Sequence, residues 1–186
     1  MKIILASQSP RRRELLAQMG IAFEVIIRGV DECFPDQLDP VGAVRHIAEK
    51  KAMVFKTEVT DELVIAADTI VAIDGQILGK PADRADAIDM LSRLSGKKHE
   101  VITAVSLLHK ELIHTFHEVT EVYFHTLSEQ TITHYVDHYQ PFDKAGAYGI
   151  QEWIGLVGVE KIVGSYTNVV GLPTQQLHQV INTSFC

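Results

Sequence analysis

The stretch that decides the fold runs from residue 3 to residue 20 and reads IILASQSPRRRELLAQMG. Its apolar start predicts a strand over about residues 2–6, and the Ser9-Pro10 pair predicts the start of a helix. Serine is a favoured N-cap, proline fits the first helical position, and Gly20 is a plausible helix stop. A strand followed at once by a helix is how an α/β fold commonly begins.

Three consecutive arginines, Arg11 to Arg13, occupy the first turn of this helix. That end of a helix is positive because of its free N–H groups and the macrodipole, so acidic residues are the usual occupants. A helix N-terminus surrounded by serine hydroxyls and arginine side chains is suited to hold a phosphate group. We therefore predict a phosphate site at Ser7, Ser9, Arg11 and Arg12, with a solvated basic turn as the alternative.

Composition limits the function. The chain has 186 residues, of which 46% are hydrophobic, and a formal net charge of −7. This size predicts a single domain over residues 1–186. No apolar run approaches the ~20 residues of a membrane span and no signal peptide is evident, so we expect a cytoplasmic protein with no membrane partner. The acidic balance argues against a nucleic-acid partner and favours a small anionic ligand. Cys33 and Cys186 are too few for a disulfide framework, and both are predicted to be free thiols.

Strand and helix patterns are mixed along the rest of the chain. Strands are predicted at about 22–27, 63–73, 76–78, 99–108 and 113–124. Helices are predicted at about 41–57, 84–95, 128–139 and 173–183, with an irregular glycine-rich segment after Pro141. The last two strands read as a long hairpin, so the sheet is expected to be mixed rather than purely parallel.

One carboxylate, Asp68, interrupts the most apolar stretch of the chain, which runs from Leu63 to Ile73. A carboxylate is costly to bury without a partner, so Asp68 is either paired in the core or acts as a metal ligand or general base. The predicted phosphate site and the lysines nearby in sequence favour function. Thr69, beside it, points to the opposite face of a regular strand.

Three further charged residues are candidates. Lys80 lies between Gly79 and Pro81, which stiffen its loop, while Lys51 belongs to a predicted helix and Glu32 to an acidic loop. For each of the three, an ordinary solvated surface residue is the alternative.

A glycine-rich segment, residues 143–151, reads DKAGAYGIQ. Its small residues let the backbone come close to a flat ligand or to another segment. Tyr148 and Gln151 could stack on a nucleobase or hydrogen-bond to it, although a turn packed against the core is the alternative.

Six segments, taken in order, resemble the Maf family of nucleoside triphosphate pyrophosphatases. They are LASQSPRR (5–12), EKKA (49–52), ADTIV (67–71), LGKP (78–81), DKAGAYGIQ (143–151) and SYTNVVGLP (165–173). The resemblance implies a Maf/ITPase-like, two-lobed α/β fold with a mixed, twisted sheet and a central cleft that holds the site. It also implies hydrolysis of a nucleotide to its monophosphate and pyrophosphate with a divalent metal, a house-cleaning role in the nucleotide pool.

Within the family, Asp68-Thr69 and the Tyr148–Gln151 ending resemble the branch that acts on dTTP, UTP and modified pyrimidine nucleotides. By this resemblance Asp68 is the proton acceptor, and Arg12, Thr69 and Gln151 are tied to substrate choice. Glu152-Trp153 departs from the small, glycine-containing stretch expected there. The alternatives are a 7-methyl-GTP pyrophosphatase and a non-catalytic regulator of septum formation.

Residue chemistry and resemblance lead to one scheme. The residues predicted to bind substrate are Ser7, Ser9, Arg11, Arg12, Glu32, Lys51, Thr69, Lys80 and Gln151. Mg²⁺ or Mn²⁺ is predicted on the hard oxygens of Asp68 and Glu32, and Asp68 is predicted to activate the water that attacks the α-phosphorus. The scheme needs Arg11 and Arg12 to face Asp68 across one groove. The resemblance also suggests a homodimer.

Overall fold

A computed structural model describes residues 1–185, and over these residues the chain forms seven strands and seven α-helices. The strands are β1 (Ile3–Leu5), β2 (Glu24–Val25), β3 (Leu63–Ile73), β4 (Gln76–Leu78), β5 (Lys98–His109), β6 (Leu112–Phe124) and β7 (Val159–Val163). The helices are α1 (Pro10–Gln18), α2 (Pro40–Met53), α3 (Arg84–Leu94), α4 (Glu129–Tyr139), α5 (Trp153–Gly158), α6 (Tyr166–Val170) and α7 (Thr174–Ser184).

The strands form one mixed sheet with the order β2-β1-β3-β5-β6-β7, and β4 pairs with β3. β1 is parallel to both β2 and β3, with Leu5 opposite Ile65. β4 is antiparallel to β3, and β7 is antiparallel to β6. The predicted mixed α/β class is therefore confirmed.

The chain divides into two compact units, and the first contains residues 1–69, 103–118 and the chain from Gly171 onward. Side chains of a strand alternate between the faces of a sheet, and here both faces are apolar. Leu16 of α1 packs in a cluster with Ile65 and Ala67, whereas Ala52 of α2 packs in a separate cluster with Ala66. α1 and α2 therefore cover opposite faces of β3.

The second unit contains residues 70–102 and 119–170. Its core joins α3, α4 and α5 to the sheet through Leu91, Tyr135 and Ile154, which pack in one cluster with Val101 and Val122. This unit carries the glycine-rich segment that ends at Gln151.

The segment after Pro141 was predicted to be irregular, and this prediction was wrong. It contains a single 3₁₀ turn at Ala145–Ala147 and then α5, β7 and α6. The glycines of this segment reflect close packing rather than disorder. A Cβ at Gly155 would collide with the carbonyl oxygen of Ile150, so only glycine lets this turn of α5 pack where it does. The three missed elements are short, and short elements give weak periodic patterns.

Cys33 is a free, exposed cysteine as predicted, whereas Cys186 lies outside the described residues. In the part of the chain that the structure describes, the helices lack the length and apolar character that crossing a membrane requires.

Candidate active site

The loop between β1 and α1 is ordered by its two serines. Ser9 is the N-cap of α1, and its Oγ accepts a hydrogen bond from the Arg12 backbone N–H at 3.4 Å. The Ser7 Oγ accepts one from the Ser9 N–H at 3.2 Å. Because no acidic residue lies in the first turn of α1, this positive helix end carries arginines alone.

Arg12 is buried, with 9% of its surface exposed, and its guanidinium group makes four hydrogen bonds within the protein. Nε donates to the carbonyl oxygen of Gly171 at 2.8 Å, and Nη1 donates to the carbonyl oxygen of Ala67 at 2.9 Å. Nη1 also contacts Ser7 Oγ at 3.3 Å, and Nη2 donates to Thr69 Oγ1 at 2.8 Å. Burial lowers the pKa of Arg12, and the negative charge of Asp68 acts in the opposite direction.

The other two arginines of α1 differ from Arg12. Arg11 is partly buried, and its buried Nε has no hydrogen-bond partner within residues 1–185. Arg13 is exposed. Arg11 Nε is therefore a donor that the described residues leave unpaired, whereas the guanidinium donors of Arg12 are already bonded within the protein.

Asp68 and Thr69 leave β3 on opposite faces, as the alternation of the strand predicts. β1 ends at Leu5, opposite Ile65, so β3 continues beyond it and these two residues lie past the end of β1. Asp68 points to the face covered by α2, where its Oδ1 accepts a hydrogen bond from Lys51 Nζ at 2.7 Å. Thr69 points to the face of α1, where its Oγ1 contacts Arg12 Nη2 at 2.8 Å and Thr103 Oγ1 at 2.9 Å.

The expected arrangement of Arg12 and Asp68 across one groove therefore takes a different form. Arg12 binds the carbonyl oxygen of Ala67, the residue next to Asp68, so the two charged residues are close neighbours. The Arg12 side chain nevertheless lies against one face of β3, and the Asp68 side chain points to the other. The middle of β3 therefore lies between the two side chains.

Lys51 joins two carboxylates. Its Nζ lies 2.7 Å from Asp68 Oδ1 and 2.7 Å from Glu32 Oε1. The side chains of Lys51 and Asp68 are only 17% and 14% exposed, so neither is an ordinary surface residue. Lys50 secures the same acidic loop, because its Nζ donates to the carbonyl oxygen of Cys33 at 3.1 Å. The last turn of α2 thus places Glu32 beside Asp68.

The fit of this pair to a divalent cation can be judged from its oxygen atoms. Within residues 1–185 no group of three or more His, Cys, Asp or Glu side chains is arranged to hold a metal ion. Mg²⁺, however, is commonly bound by one or two carboxylates together with substrate phosphates and water. Glu32 and Asp68 converge on one ammonium group, so a two-carboxylate donor set of this kind is present.

Lys80 and Gln151 belong to the second unit, and both are exposed. The carbonyl oxygen of Gly79 accepts a hydrogen bond from the Gly146 N–H at 3.0 Å, which fixes the loop that carries Lys80 to the glycine-rich segment. The other eight predicted site residues all belong to the first unit.

Sequence reasoning missed several residues that support these positions. Thr103 is fully buried in β5 and contacts Thr69, and the Gly171 carbonyl oxygen binds Arg12. A polar residue within the apolar run from Val101 to Val105 was the available signal for Thr103. A backbone carbonyl carries no side-chain signal, so nothing in the sequence singled out Gly171 as the partner of Arg12.

Residues 2–184 match the family model described as Maf-like protein. A dTTP/UTP pyrophosphatase of Bacteroides fragilis is 52% identical over 96% of this chain and 93% of its own length. The dTTP/UTP pyrophosphatases of Phocaeicola vulgatus and Flavobacterium psychrophilum are 51% and 45% identical, over 95% and 99% of this chain and 93% and 95% of their own lengths.

Among solved structures, a HAM1 protein from Coxiella burnetii superposes with a TM-score of 0.55 at 17% identity. The match covers 99% of this chain and 100% of that one. At this identity the likeness concerns the fold, and it agrees with the ITPase-like architecture expected from the sequence.

Proposed function

This chain belongs to the Maf family, and from that premise we propose that it is a nucleoside triphosphate pyrophosphatase acting on dTTP and UTP. The products are the nucleoside monophosphate and pyrophosphate. The observation that carries the proposal is the partly buried Lys51 ammonium holding Asp68 and Glu32 together near the loop of Ser7 to Arg12, in a chain 43–52% identical to proteins named for that activity.

The first unit supplies the groups for phosphate binding. Arg11, the N-terminus of α1 and the hydroxyls of Ser7 and Ser9 bind the triphosphate, because free N–H donors and a positive helix end favour an anion. Arg12 acts chiefly by holding Thr69 in place, and through Thr69 it contributes to substrate choice.

Asp68 is the proton acceptor. Lys51 occupies its Oδ1, so Oδ2 is the oxygen from which Asp68 orients a water and takes its proton during attack on the α-phosphorus. The Lys51 ammonium group neutralises negative charge on the phosphate oxygens next to Asp68. Catalysis of this kind depends mainly on positioning and on electrostatic stabilisation of the charge that develops.

Asp68 and Glu32 are also the residues that would hold Mg²⁺ or Mn²⁺. A divalent cation bound there supplies neutralisation of phosphate charge and polarisation of the phosphoryl group. Lys80 and Gln151 remain predicted substrate contacts. The single domain over residues 1–186, the homodimer and the cytoplasmic location also remain part of the proposal. An absence of nucleic-acid partners is part of the same proposal.

The experiment measures pyrophosphate and orthophosphate separately, with purified protein and a panel of nucleotides in the presence of Mg²⁺ or Mn²⁺. The panel contains dTTP, UTP, dCTP, dATP, dGTP and 7-methyl-GTP. Pyrophosphate release from dTTP and UTP above the others is the expected result. A preference for 7-methyl-GTP assigns the chain to the other branch, and no release from any nucleotide supports a non-catalytic regulator.

A further inference from the structure

Gln151 lies in a tight turn of the second unit. The Glu152 N–H donates to the carbonyl oxygen of Gly149 at 3.0 Å, so Ile150 and Gln151 are the two central residues of a β-turn. Ile150 is buried in the core of the unit, whereas Gln151 is exposed. The turn is thus anchored on one side and presents the Gln151 side chain on the other.

The residue after Gln151 does not act as its backbone position would suggest. Glu152 is the N-cap of α5, yet its side chain makes no capping hydrogen bond. Instead, Oε1 lies 3.0 Å from Lys144 Nζ, and Oε2 accepts a hydrogen bond from the Tyr135 hydroxyl. Lys144 is itself buried, and its Nζ also contacts Asp143 Oδ1 at 2.6 Å.

Tyr135 links the two ends of the turn. Its hydroxyl donates to Glu152 and accepts a hydrogen bond from the Gly149 N–H at 3.1 Å. Burial, together with the hydrogen bond to Glu152, raises the pKa of Tyr135, so the phenol keeps the proton that it donates. The first and last residues of the turn are therefore bound to one oxygen atom on α4.

The side chains of Glu152 and Lys144 fill the space next to Gly149. A Cβ at Gly149 would lie 2.9 Å from Glu152 Cδ and 3.1 Å from Lys144 Cε, so the side chains of Glu152 and Lys144 pack directly on the turn. A change in either side chain is thereby transmitted to the backbone that carries Gln151.

We propose that Glu152, held by Tyr135 and Lys144, is a positioning residue that sets the orientation of Gln151 and through it the selectivity for the nucleobase. The inference rests on the proposed function, in which Gln151 takes part in substrate choice. Glu152 acts through its neighbour, and the chemical step at Asp68 does not depend on it.

Two variants test this. Glu152→Gln keeps the size of the side chain but removes the charge that pairs with Lys144, and Tyr135→Phe removes the shared oxygen. Each is expected to raise KM for dTTP about 10-fold, the equivalent of one lost hydrogen bond, with kcat changed by less than about 3-fold. The ratio of kcat/KM for dTTP over dCTP is expected to fall in parallel. Amide hydrogen exchange at Gly149 and Glu152 is expected to become faster in both variants.

The control is Glu160→Gln, which removes the same charge from an exposed position in the second unit. It is expected to leave KM, selectivity and exchange at the turn unchanged. In a Gln151→Ala background, Glu152→Gln is expected to have no further effect on KM, because a positioning residue has nothing left to position.

The outcomes are distinguishable. A wild-type protein that releases pyrophosphate normally, with variants that keep the wild-type KM and selectivity, overturns the inference alone. So does an equal drop in kcat for every nucleotide, which is the signature of a structural defect. A wild-type protein that releases pyrophosphate from no nucleotide overturns the proposed function and the inference with it.

Discussion

A buried histidine makes the stability of this protein depend on pH. His99 in β5 is 1% exposed, and its Nε2 lies 2.7 Å from the Tyr148 hydroxyl. Its ring packs edge-on against Phe124 and Tyr148, with centroids 5.0 and 5.4 Å away. Burial lowers the pKa of His99 from 6.5 to about 4. The folded protein therefore keeps a neutral imidazole at a pH where the unfolded chain binds a proton.

The direction and the size of the effect follow from the two pKa values. Above pH 6.5 His99 is neutral in both states and contributes no pH dependence, whereas below it the unfolded chain gains a proton that the folded state excludes until about pH 4. Stability is thus lost as the pH falls through this range. At about pH 5 the loss from this one group is about 2 kcal/mol in the free energy of unfolding.

The assay is urea unfolding of the wild type and of His99→Gln, each at about pH 7.5 and about pH 5. The drop in free energy of unfolding between the two pH values is expected to be smaller in the variant by about 2 kcal/mol. His125→Gln, which replaces an exposed histidine of the same unit, serves as the control and is expected to behave as the wild type.

The reasoning is refuted if His99→Gln and the wild type lose equal stability between the two pH values. An NMR titration of the His99 ring in the wild-type protein gives a second, independent measurement. A ring that gains its proton near pH 6.5 in the folded protein contradicts the argument even if the variant does not fold.

Three further predictions concern the site and the backbone. Asp68→Asn is expected to keep the fold and to lose ~10²-fold or more in the rate of pyrophosphate release. The control Asp74→Asn, in an exposed turn, is expected to keep full activity. Near-normal turnover by Asp68→Asn would reject the assignment of Asp68 as the proton acceptor. Excess chelator is expected to abolish pyrophosphate release and added Mg²⁺ to restore it, and turnover that persists in chelator would remove the metal from the scheme. Gly146→Ala is expected to unfold more easily than Gly75→Ala by about 1–3 kcal/mol. Both glycines have a positive φ, but only at Gly146 would a Cβ meet another side chain, that of Val71 at 2.9 Å; equal losses in thermal or urea unfolding would contradict this.

The parts of the fold that the sequence predicted well are those with a strong local signal. The strand over 63–73 has the predicted bounds, and strand periodicity correctly placed Asp68 and Thr69 on opposite faces. The capped helix after Ser9 also formed as expected. In each case the signal lies within about ten residues of the structure that it specifies.

The parts that sequence reasoning did not reach depend on contacts distant in the chain. Arg12 stays a predicted substrate contact, but the hydrogen bond from its guanidinium group to the Gly171 carbonyl oxygen, 159 residues away, could not be predicted. Glu152 was noted only as a departure from the family pattern, and its partner Tyr135 lies on another helix. Local propensity carries no information about such pairs.

The bond between Arg12 and Gly171 also has a consequence for the way this protein is made. A ribosome releases the amino end of the chain first, so Arg12 emerges long before the residue that it binds. Until Gly171 has been synthesised, Arg12 Nε lacks its hydrogen-bond partner, and any shorter chain carries an incomplete set of hydrogen bonds at Arg12. We therefore expect the hydrogen bonds of Arg12 to be completed only after Gly171 has emerged, and chains that stop short of Gly171 to be bound by chaperones rather than to show partial activity.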